Sequence, residues 1–66
     1  MSVAKTSEIT ASSSKSFEEA IRKGIDKMSK TVNNIEGAWV KEQKVVVSDG
    51  DITAYRVTMK VTFIVK

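Results

Sequence analysis

The sequence predicts an α+β domain of order β-α-β-β, a three-stranded antiparallel sheet with one helix packed on one face. Three observations carry this. Residues 52–66 alternate with a period of two, Tyr55, Val57, Met59, Val61, Phe63 and Val65 forming one apolar set. Residues 17–35 place apolar side chains at helical spacing. Asp49-Gly50 sits between two strand-like runs, where glycine supplies the positive φ of a tight hairpin.

Residues 3–11 open as a weak strand. Val3, Lys5, Ser7 and Ile9 share one parity, and the polar content suits a sheet edge. Ser12, Ser13, Ser14 and Lys15 follow as a turn.

Ser16 to Glu19 is a capping box. The Ser16 hydroxyl accepts from the Glu19 N–H, and the Glu19 carboxylate reaches back to the Ser16 N–H. Phe17, Ala20, Ile21, Gly24, Ile25, Met28, Val32 and Ile35 then trace an apolar stripe, with Arg22, Lys23, Lys27 and Lys30 largely off it. The helix is expected from Phe17 to about Asn33, roughly 25 Å at ~1.5 Å per residue. Gly24 on the stripe implies close approach to the sheet, and Asn33 and Asn34 are natural exits.

Residues 38–48 form the second strand. Val40 and Val46 share a parity with Glu42 and Lys44, whereas Trp39, Val45 and Val47 share the other with Lys41 and Gln43. The polar tract at its centre requires half-exposure or a bend. Asp49-Gly50 pairs this strand with the third, and the first is expected beside the third. The third strand offers Tyr55, Val57, Met59, Val61 and Phe63 to the helix. Its other face carries Ala54, Arg56, Thr58, Lys60, Thr62 and Ile64, which must meet solvent, ligand or another subunit.

Size and composition bound the function. All 66 residues make a single domain (1–66), and a chain this short buries only ~60% of its extended surface. Cysteine is absent, which excludes disulfides and thiol chemistry. Histidine is absent too, which removes the commonest metal ligand and general base. No spacing marks a nucleophile with its base, so the chain is read as a non-enzyme. Oligomerisation is the favoured route to stability, with a carboxylate-bound cation as the alternative. A charge of +3 per chain serves solubility or, multiplied in an assembly, the attraction of phosphorylated ligands or anionic polymers. Lys41, Lys44, Arg56, Lys60 and Lys66 with Trp39 could serve nucleic acid, yet no RNA or DNA module appears. No long apolar run follows residues 1–5, so neither a leader nor a membrane span is expected, and a cytoplasmic location is the default.

The whole chain resembles the dodecin family. The resemblance rests on Ser16-Phe17-Glu18-Glu19-Ala20, on Ser29 to Ile35 (SKTVNNI), and on Asp49-Gly50 followed by Tyr55 to Phe63 (YRVTMKVTF), in that order. It implies a hollow homo-oligomer of twelve subunits with cubic 23 symmetry. It further implies flavin (riboflavin or FMN) rings stacked between tryptophans, and a glutamine on the third strand at the flavin edge. Counting from Asn34-Ile35, the family's tryptophan position is held by Gly37 and its glutamine position by Arg56. Trp39, two residues on, shares a strand face with Gly37 and offers a displaced stacking platform or an interface anchor. Arg56 is expected to pair with Glu42, with a neighbour's carboxylate or with a ligand phosphate. The chain also resembles a branch, described as calcium-binding, that lacks the tryptophan and carries arginine for the glutamine. Asp49 and Asp51 are the candidate calcium ligands, although Ca²⁺ needs six to eight oxygens. A ligand-binding cage, or a structural or calcium-binding cage without flavin, are the two functions the sequence offers.

Overall fold

The computed structural model describes residues 3–66. Met1 and Ser2, part of the segment read as leader-free, lie outside the described residues. The elements are β1 (Val3–Ser13), α1 (Phe17–Ser29), β2 (Ile35–Ser48) and β3 (Asp51–Val65). The sheet order is β1-β3-β2 with both pairings antiparallel, as the sequence predicts.

Helix α1 lies over β1 and β3. Ala20, Val57, Met59 and Val61 are fully buried, and Ile9, Phe17, Ile21, Ile25, Met28 and Ile35 pack around them. Burying each large aliphatic side chain contributes about 1.5–3 kcal/mol, so Val57, Met59 and Val61 are the chief source of hydrophobic stability in the subunit. Phe17 meets Tyr55 edge to face, with centroids 5.2 Å apart. Gly24 lets the helix close on the sheet: a Cβ there would stand 2.7 Å from Met59 Cε, 3.2 Å from Ala11 Cβ and 3.3 Å from Ile9 Cδ1.

Three local expectations are corrected. First, β1 runs on through Ser12 and Ser13 instead of turning at Ser12. Ser13 is buried, and its hydroxyl accepts from the backbone N–H of Lys15 (2.9 Å) and of Ser16 (3.4 Å). Second, only half of the capping box forms. Ser16 Oγ accepts from Glu19 N at 3.0 Å, but the Ser16 N–H is already given to Ser13, and the Glu19 carboxylate turns to Lys23 Nζ at 3.3 Å. Third, the helix stops at Ser29, not near Asn33. Thr31 N and Val32 N both donate to the Met28 carbonyl, which tightens and ends the last turn. Asn34 takes φ 64°, a conformation asparagine tolerates, and β2 then starts at Ile35 rather than Ala38. Ile35 therefore joins the core from a strand and not from the helix.

The subunit is thin and long, 52 × 20 × 13 Å. Its radius of gyration is 13.5 Å, against about 11 Å for a compact chain of this length. Because α1 covers β1 and β3, the helix-side residues of β2 are left open, Val40 and Val45 among them. An exposed apolar strand edge of this kind is a surface that another chain can cover.

Candidate functional site

The candidate site is the sheet face opposite the helix, built as rows across β1, β3 and β2. Antiparallel partners share a face, so the register assigns each row. Thr6, Thr62 and Gly37 form one row; Glu8, Lys60 and Trp39 the next; then Thr10, Thr58 and Glu42; then Ser12, Arg56 and Lys44. The Thr10 and Thr58 hydroxyls lie 3.2 Å apart, and the Lys60 ammonium is 5.6 Å from the centroid of the Trp39 ring.

A bulge in β2 makes this arrangement. The register shifts between Val40 and Glu42, leaving Lys41 as the extra residue. Simple alternation would place Glu42, Lys44 and Val46 with Val40. The bulge moves them to the face of Trp39 and Arg56, while Gln43 and Val45 pass to the helix side with Val40. The bend expected from the polar tract is this bulge. Lys41 Nζ crosses β3 to Glu8 Oε1 at 3.3 Å, an exposed pair of modest worth.

Gly37, Trp39 and Arg56 thus stand on one face, in three of four successive rows. Trp39 is 53% exposed, a large apolar surface for water to meet. A Cβ on Gly37 would have no neighbour within 4 Å, so the surface beside Trp39 is open. Arg56 does not pair with Glu42 among the described residues. Glu42 stands one row away, opposite Thr58, and Arg56 Nε donates instead to Ser12 Oγ at 3.2 Å. That uses one of five guanidinium N–H donors and leaves the others for a carboxylate or phosphate. Lys60 stands in the Trp39 row and Lys44 in the Arg56 row of the same face. The sequence offers both only among cations for nucleic acid; their places beside Trp39 and Arg56 depend on strand order and on the bulge.

Asp49 and Asp51 sit apart from this face, at the hairpin end. Asp49 (φ 50°) and Gly50 (φ 81°) make the turn, and Asp51 is the first residue of β3, paired with Ser48. Among the described residues no three acidic side chains gather as a metal site, so within one subunit these two would bring few of the oxygens that Ca²⁺ requires. Among the described residues no helix is long and apolar enough to cross a membrane. The lowered pKa of Glu19, from its hydrogen bond to Lys23, belongs to the helix and not to this face.

Comparison with known proteins places these features. The family model described as Dodecin matches residues 3–66. A dodecin from Streptomyces davaonensis is 32% identical, with 98% of this chain and 96% of that one covered and a TM-score of 0.94. The calcium dodecin of Mycobacterium tuberculosis is 31% identical, with 97% and 91% covered and a TM-score of 0.84. A protein from Thermus thermophilus is 24% identical, with 100% and 97% covered and a TM-score of 0.94, a likeness of fold. None of the curated proteins compared with this chain matches it.

Proposed function

This chain belongs to the Dodecin family, and from that premise we propose that it is a homo-oligomeric binding protein, a dodecamer, that holds a flavin against the helix-free face of its sheet. The observation that carries the reading is the convergence of Trp39, Arg56 and Lys60 on one open face. Trp39 offers a flat apolar surface on which an isoalloxazine ring can stack, and the vacant surface at Gly37 leaves room beside it. Arg56 and Lys60 supply cations for a ring carbonyl or for the phosphate of FMN. The activity is binding or storage: neither histidine nor cysteine is present to act on the ligand. A protein this small, with a basic composition, suits a cytoplasmic cage. Flavin fluorescence titrations with riboflavin and FMN test the reading, and a native assembly that leaves both unquenched at micromolar protein contradicts it.

A second reading, a calcium-binding cage without flavin, is favoured by the likeness to the Mycobacterium tuberculosis calcium dodecin. Asp49 and Asp51 would then need oxygens from neighbouring subunits. Calorimetry with CaCl₂ on the native protein and on Asp49→Asn and Asp51→Asn separates the two readings.

A further inference from the structure

The hairpin reaches beyond the rest of the sheet. β1 ends at Ser13, opposite Tyr55, so residues 51–54 have only β2 beside them: Asp51, Ile52 and Ala54 pair with it and Thr53 is the extra residue of a register shift. This two-stranded arm projects roughly 13 Å at ~3.3 Å per residue. An isolated hairpin is marginal in water, yet the arm exposes Val47 (57%) and Ile52 (53%) side by side in register, with Asp49 and Asp51 at its tip. It carries an apolar pair beside two acids.

The complementary surface lies on the other flank of the subunit. Between α1 and the free edge of β1 runs a groove of about 440 Å³, with Ile9, Ala11, Gly24 and Met28 as its apolar lining and Lys23 and Lys27 beside them. Lys23 is paired with Glu19 at 3.3 Å, whereas Lys27 has no ion pair among the described residues. The arm cannot reach its own groove. Phe17 packs on Tyr55, and from there the helix rises ~15 Å to Lys27 while the arm runs ~13 Å the other way.

We infer that the arm of one subunit docks in the α1–β1 groove of another copy of this chain, Val47 and Ile52 seating on Ile9, Ala11 and Met28, and Asp51 meeting Lys27. Polarity and charge sign match: an apolar pair with an acid on the arm, an apolar lining with Lys27, unpaired among the described residues, at the groove. Patch and receptor are different surfaces, so the contact is head-to-tail, the kind that forms a ring when the rotation between copies closes. The inference rests on the assembly proposed above and is independent of flavin.

The chain has no cysteine, which allows a clean test. Lys27→Cys with Asp51→Cys in one chain, treated as the native assembly with a short bis-maleimide, should give a ladder of covalent oligomers on a denaturing gel. Each single variant should stay a single band. Both side chains are exposed, so neither substitution opens the core. In parallel, Lys27→Glu or Asp51→Lys should weaken assembly about tenfold in apparent Kd, and the two combined should restore it. A particle of native size that gives no ladder and ignores both charge reversals overturns the inference and leaves the assembly standing. A folded native monomer overturns both. A lipid or other amphiphile released from the groove at one per chain by denaturing mass spectrometry also overturns it.

Discussion

The Lys60 ammonium stands 5.6 Å from the centre of the Trp39 ring, on adjacent strands of the helix-free face. At a site this exposed the contact contributes about 0.5–1 kcal/mol, enough to orient both side chains and too little to hold the fold. It makes Trp39 a presented ring with a cation over one face. Replacing Lys60 by Gln should therefore lower the thermal midpoint of unfolding by only about 2–8 °C and weaken FMN more than riboflavin, since only FMN carries the phosphate. Parallel titrations of the two flavins at low and moderate salt check this.

Gly37 gives the reciprocal prediction. Nothing lies within 4 Å of where its Cβ would be, so Gly37→Trp should fold normally and add a second stacking surface. Base-rate stacking of an aromatic ring is worth about 1–3 kcal/mol. Flavin affinity should tighten by about tenfold or more, read from fluorescence quenching, with no loss of secondary structure by circular dichroism.

The helix–sheet contact at Gly24 and Met59 is a steric limit. An alanine would gain up to ~1 kcal/mol of helix propensity but would set its Cβ 2.7 Å from the buried Met59 Cε and 3.2 Å from Ala11 Cβ. Overpacking of this kind costs about 1–3 kcal/mol, so Gly24→Ala should be net destabilising. Met59→Ala alone should cost about 2–5 kcal/mol through the cavity it leaves. Combining the two should cost less than the sum of the single effects, as a double-mutant cycle by chemical denaturation would show.

Most of the architecture is legible in the sequence because it follows from local rules. The β3 alternation, the Asp49-Gly50 turn and the Ser16 cap each report a backbone geometry through a few adjacent residues. Gly24 on the apolar stripe correctly signals close approach. The site is less legible. Gly37 and Trp39 share a face by simple alternation, but Glu42 and Lys44 join them only through the bulge at Lys41. A bulge of this kind shifts the parity of everything after it, and the polar tract allows a bend without saying at which residue it falls. The Arg56 partner was also beyond reach, because Ser12 becomes available only when β1 extends past its expected end. The helix terminus moved for a related reason: carbonyl sharing at Met28 competes with continued helix, and spacing alone cannot weigh the two.

Acid should act on the start of α1. The Glu19 pKa is lowered chiefly by its hydrogen bond to Lys23. A carboxyl depressed in the folded state stabilises above its unfolded value, about 4.3, and that stability is lost as pH falls through the folded value. Thermal stability should therefore fall below about pH 4.3, and Glu19→Gln should flatten that part of the profile. Ser16→Ala should lower stability by about 1 kcal/mol at every pH, because its cap is a hydroxyl.

Flavin titration of the native assembly, with Trp39→Ala as the comparison, tests the central claim most directly. The account predicts saturable quenching at micromolar concentrations by the native protein, and its loss in a Trp39→Ala particle of unchanged size by light scattering. Unquenched flavin with the native assembly, or equal quenching by the variant, would contradict it.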